Sequence, residues 1–177
     1  MRLGSLMKRT RPTSLHLKSE HTMKPVIYLR IASILTLIHS LLHTIGGVFG
    51  KPAPGTATMV AATMRLSFPV LGVIRSYADF YRGMGLCVTI FLTMDAAILW
   101  LLASMAKSGA ARLRPILAPF LLGYLAMALN SYTFFFAAPV ITELLIAACL
   151  GAAIFTAKRA DDRAEPSTQH QMRTAQL

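Results

Sequence analysis

The chain has 177 residues, is 55% hydrophobic and only 14% charged, and carries a formal net charge of +11. Soluble domains hold about 25% charged residues, and the long apolar runs here have no polar face to offer water. Those two facts exclude a soluble globular protein, and the placement of the positive charge argues against a nucleic-acid binder.

Four apolar stretches, residues 26–48, 84–106, 116–134 and 140–157, approach or exceed the roughly 20 residues that cross a bilayer as a helix. Of the 18 Lys and Arg, seven lie at or before Arg30, three lie between the second and third stretches (Lys107, Arg112, Arg114), and four follow the last. Four more (Lys51, Arg65, Arg75, Arg82) fall in the first loop or just after it, and the loop between the third and fourth stretches has none. That bias predicts an all-α bundle of four membrane helices in a bacterial inner membrane, with both termini in the cytoplasm. Basic residues beside spans also attract anionic lipid, so the bilayer itself is the expected partner and the high charge needs no nucleic acid.

Residues 1–22 are polar and basic, and Met23 reads as a natural start; they are expected to be a disordered tail or a mis-called start. Residues 23–158 form the membrane domain, and residues 159–177 a second disordered polar tail. In the first span Pro25 suits a first helical turn, where its missing N–H costs nothing. Arg30 is expected to snorkel to the cytoplasmic surface. The span ends at Gly46-Gly47 and the Gly- and Pro-rich segment after it. The first loop, residues 50–82, is long. Residues 56–66 have helical composition, and residues 68–73 are expected to form a capping or re-entrant segment at the outer surface. Gly83-x-Gly85 opens the second span with small residues suited to close helix approach. The third and fourth spans form a tight hairpin turning near Asn130 and Pro139. Cys87 and Cys149 fall at different depths of separate spans and read as small buried residues rather than a disulfide framework.

Ionisable residues at membrane depth are costly and are site candidates by default. His39 and His43, at i, i+4, share one helix face. Together they are the only metal candidates, although the Glu of an H-E-x-x-H zinc motif is missing. They approach from one side, so they cannot be the two axial ligands of one haem. Glu143 maps to a similar depth in the fourth span. Tyr77, Asp79 and Arg82 map to the outer boundary above the His pair, and Asn130 to the outer half. Arg75 or Arg82 is expected to pair with Asp79 or Glu143. Asp95 lies deeper, and is expected to be the weakest member, bonded to Thr93, Asn130 or a carbonyl and nearly silent when changed to Asn.

The blocks His39-Ser-Leu-Leu-His43-Thr-Ile-Gly-Gly-Val-Phe-Gly-Lys-Pro52 and Ser76-Tyr-Ala-Asp-Phe-Tyr-Arg-Gly-Met-Gly-Leu86 resemble a family of short, uncharacterised bacterial inner-membrane proteins with four expected spans. The resemblance covers residues 23–158 and implies the bacterial placement and no activity. The outline is also similar to DoxX-like and emopamil-binding-like proteins, whose motifs are absent here.

The leading expectation is therefore a membrane protein that binds a lipid or other small hydrophobic ligand. Its pocket lies between spans one, two and four in the outer half, with His39, His43 and Glu143 inside, Asp79 and Arg82 at the rim, and Tyr77 and Asn130 nearby. The alternatives are a membrane enzyme acting on lipid or quinone, with a His base oriented by a carboxylate, and a structural or assembly protein whose polar residues only fix helix packing. The sequence names no cofactor and no oligomeric state.

Overall fold

The computed structural model describes the backbone of residues 14–162 and the side chains of residues 23–157. It is an all-α helical bundle with one small hairpin. Three helical stretches, Met23–Val48, Tyr77–Phe134 and Ala137–Ala157, are long and apolar enough to cross a membrane. The 58-residue stretch is broken by a 3₁₀ turn, Ala110–Leu113, into α3 (Tyr77–Gly109) and α4 (Arg114–Phe134). Pro115, in the first turn of α4, restarts the helix where its absent N–H leaves no bond unmade. The other elements are α1 (Ser14–Leu42), continued by a π-helical segment His43–Val48, then α2 (Thr56–Thr63) and α5 (Ala137–Asp162).

Helix α1 packs on both α3 and α5, and α4 packs on α5. Cross-helix bonds fix the directions. Ser33 reaches Ala96 while His43 reaches Gly85, so α1 and α3 run antiparallel. Tyr124 meets Asp95 across the 3₁₀ turn, so α4 folds back along α3.

The apolar core occupies the end of the bundle nearest that turn. Leu29, Leu99, Leu117, Ile146 and Leu150 are almost fully enclosed there, and Ala32, Ala103, Ala106 and Ala153 let the backbones approach closely. Arg30 does not simply reach for the surface. Its guanidinium stacks over the Trp100 ring at 4.8 Å, pinning α1 to α3 at this end.

Several local expectations are corrected. Helix α1 begins at Ser14, so Pro25 lies within the helix rather than in its first turn, and residues 14–22 continue the helix instead of standing apart as a tail. Residues 1–13 and 163–177 of the two expected tails lie outside the described residues. The loop helix forms as expected, over Thr56–Thr63. The segment after it has regular structure not expected from the sequence. It is a two-stranded antiparallel hairpin, β1 (Ser67–Val70) and β2 (Val73–Ser76), with Val70 opposite Val73. The two turn residues, Leu71 and Gly72, both have positive φ, 47° and 84°. This is the geometry of a two-residue type I′ turn, whose twist matches the strands. Leu71 replaces the usual Asn or Asp at the first turn position, which is why composition did not reveal the hairpin.

Ser76 ends the hairpin and starts α3. Its hydroxyl accepts from the Asp79 backbone N–H, and the Asp79 carboxylate accepts from Ser76 N–H at 2.9 Å, a reciprocal capping box.

A polar half of the bundle as candidate functional site

Away from the 3₁₀ turn the bundle interior changes character. The α1–α3 interface becomes a seam of small hydroxyls. Ser33 Oγ donates to the Ala96 carbonyl (2.7 Å) and Ser40 Oγ to the Thr89 carbonyl (3.1 Å). Ser40 also contacts the Thr93 hydroxyl (2.9 Å), and Thr44 the Thr89 hydroxyl (2.9 Å). These residues recur on one face of α1 at i, i+7 and i+11, a spacing present in the sequence but masked by their neutral, short side chains. In a bilayer such bonds hold helices together where apolar burial cannot.

His43 belongs to this seam. Its Nε2 donates to the Gly85 carbonyl at 3.1 Å, which fixes Nε2 as the protonated nitrogen. That nitrogen is therefore occupied and points into the α1–α3 contact. Gly85 makes the contact possible: a Cβ there would lie 2.8 Å from Val48 Cγ2. Gly83 has open space instead, so only one of the two glycines serves close approach.

Two turns from His43, Thr36 faces the bundle interior. Its hydroxyl donates to the Ala32 carbonyl (2.9 Å) and lies 3.1 Å from the buried Tyr124 hydroxyl. Tyr124 in turn stands 3.5 Å from Asp95 Oδ2. Proton counting is informative. Thr36 and Tyr124 have two hydroxyl protons between them for three contacts, to Ala32, to each other and to Asp95, and either can donate across the Thr36–Tyr124 bond. Asp95 is thus held at the long limit of a hydrogen bond. Its partner is Tyr124, rather than Thr93, Asn130 or a carbonyl.

Glu143 is buried, 2% exposed, and its Oε1 accepts from Ser131 Oγ at 3.0 Å, joining α5 to α4. Its Oε2 has no partner among the described residues, and neither does Nδ1 of the buried His39. Both side chains thus turn inward, as a lipid-averse face should, but no bond joins them, and His43 is committed elsewhere.

The expected rim is dispersed. Tyr77 is exposed and packs on Phe68, ring centroids 4.9 Å apart. Asp79 is engaged by Ser76, and no ion pair ties it or Glu143 to Arg75 or Arg82 among the described residues. Arg82 and Asn130 are exposed. No group of three or more His, Cys, Asp or Glu able to hold a metal ion occurs among the described residues.

Two concave surfaces stand out. A cleft of about 300 Å³ opens between α3 and α4, with Phe120, Gly123 and Met127 as walls and Asp95 and Tyr124 at its polar point. A larger groove of about 550 Å³ runs along the first turns of α3 below Arg75. The sequence pointed to Asp95 only as the deepest carboxylate. Nothing in it assigned Tyr124, since a tyrosine in an apolar run carries no signal of what its hydroxyl meets.

No family model matches the chain, and no curated protein or solved structure is significantly similar to it.

Proposed function

We propose that this chain is an integral membrane protein that binds a lipid-like or other small hydrophobic ligand in the cleft between α3 and α4. The observation that carries the reading is Asp95. It is a carboxylate at the polar point of an apolar cleft, and among the described residues its one hydrogen-bond donor is Tyr124, at 3.5 Å. Asp95 is half-buried with one weak protein donor, and a ligand hydroxyl or amine entering the cleft would supply a stronger one. The cleft volume is at the small end of the range for ligand sites, about 300–1,000 Å³. The ligand is thus an apolar body of modest size with one hydrogen-bond-donating end. This places the site nearer mid-depth than the His39, His43 and Glu143 pocket expected from sequence, and raises Asp95 from the least to the most important of the candidates.

Mass spectrometry of small molecules extracted with the purified protein tests it. Asp95→Asn removes half the acceptor capacity and should lower the co-purifying species roughly tenfold, the worth of one hydrogen bond to a charged group. Met59→Ala, exposed on α2 and outside the cleft lining, should leave it unchanged. Equal amounts from wild type and Asp95→Asn, or none from either, would defeat the reading.

The membrane is a bacterial inner membrane crossed four times, with both termini and the Ala110–Leu113 turn in the cytoplasm and the hairpin outside. Positive residues cluster at the turn and termini. Reporter fusions at Ser108 and Ala57 should give signals from opposite sides; signals from the same side would overturn this topology.

A further inference from the structure

The first four turns of α3 carry a groove whose lining comes from α3 and β2 alone. Gly83 and Cys87, one turn apart, form its low points, and Phe80, Met84, Val88 and Phe91 stand around them. Cys87 and Phe91 are exposed, and nothing lies within 4 Å of a Cβ built at Gly83. From Phe80 to Phe91 the helix rises about 16 Å at 1.5 Å per residue. That matches one leaflet's share of a hydrocarbon core about 30 Å thick. A groove of this length and width fits one acyl chain lying along the helix.

Its head end is charged. Arg75 closes the groove where β2 meets α3. One guanidinium nitrogen, Nη1, donates to the Ile74 carbonyl at 2.8 Å, which steadies the side chain and leaves most of its five N–H donors free. Asp79 is the acid facing it, but Asp79 Oδ2 already accepts from both Ser76 N and Ser76 Oγ, and the two residues form no ion pair. Arg82 is an exposed cation on α3 outside the groove lining, and it acts on Asp79 as Arg75 does, so two positive charges surround one negative. Tyr77 and Tyr81 flank them, as aromatic residues do at a membrane interface.

We infer that this groove is a binding site for one anionic phospholipid of the leaflet beside the hairpin. One acyl chain lies over Gly83 and Cys87, and the phosphate sits on the Arg75 guanidinium. An arginine fork suits phosphate geometry, and the surplus positive charge selects an anionic head over a zwitterionic one. The site is separate from the Asp95 cleft and does not depend on it.

Native mass spectrometry of the detergent-purified full chain, titrated with phosphatidylglycerol or with phosphatidylcholine of identical acyl chains, reads it out. The wild type should retain phosphatidylglycerol roughly fivefold better, the preference that one basic residue gives an anionic over a neutral lipid surface. Arg75→Gln, at an exposed position, should lower retention of both lipids and abolish the preference, because both phosphates lose the guanidinium and only phosphatidylglycerol loses the charge selection. Gly83→Leu, which has room for its side chain only in the groove, should lower retention of both. Equal retention of the two lipids by the wild type, or an unaltered preference in Arg75→Gln, overturns the site. Inorganic phosphate bound as well as phosphatidylglycerol would also overturn it, by assigning Arg75 to a soluble anion.

Discussion

Tyr124→Ala should lower the stability of the bundle by about 3–5 kcal/mol, the range for removing a buried aromatic ring. Tyr124 is 2% exposed and is among the largest fully enclosed side chains. It sits between α1, through Thr36, and α3, through Asp95, while anchored in α4. Its ring therefore fills the place where three helices meet. Tyr124→Phe keeps the ring and removes only the hydroxyl. Thr36 retains its bond to Ala32, so that change should cost about 0.5–1.5 kcal/mol. Unfolding of each variant by titration with a denaturing detergent in mixed micelles separates the two. If alanine and phenylalanine prove equally mild, Tyr124 is not the centre of the packing. The pair also divides stability from binding: Tyr124→Phe should disturb the cleft's co-purifying ligand while leaving the protein folded.

Gly85→Ala is expected to have the second large effect. The added methyl would sit 2.8 Å from Val48 Cγ2, closer than atoms in a packed interior tolerate. Val48 is itself buried, at the end of the π-helical segment, so it has little room to yield. The two helices must move apart, which stretches the 3.1 Å bond from His43 Nε2 to the Gly85 carbonyl. Overpacking of this kind costs about 1–3 kcal/mol. Adding Val48→Ala in the same chain removes the clashing methyl group and should return most of the loss. A double variant no more stable than Gly85→Ala alone would show that the strain lies elsewhere. Gly83→Ala is the control: open space surrounds that position, and its effect should be small.

The grouping that depth predicts and the directions in which these side chains point differ for a traceable reason. His39, His43 and Glu143 were grouped by depth, which is a count along each helix. Depth does not say which way a side chain points around the helix axis. His43 rotates toward α3 and finds a carbonyl exposed by Gly85, whereas Glu143 rotates toward α4 and finds Ser131. His39 and Glu143 do reach the interior, as buried ionisable groups in lipid should, yet among the described residues each keeps a polar atom without a partner and neither bonds the other. Asp95 lies deeper than these and borders the cleft between α3 and α4.

By itself the sequence determined the all-α class, the apolar stretches long enough to cross a membrane, the short helix in the first loop and the polar turn between α3 and α4. These follow from local quantities: apolar length, charge spacing and the residues that start or stop a helix. Only the tertiary structure decided that Pro25 lies within α1, that residues 67–76 pair as a hairpin, that Arg30 stacks on Trp100, and that Tyr124 stands between Thr36 and Asp95. Helices apolar on all sides carry no moment to set their rotation. Their rotation is fixed instead by where a hydroxyl, a carbonyl or a glycine meets its counterpart on another helix, and each of those meetings joins residues distant in the chain.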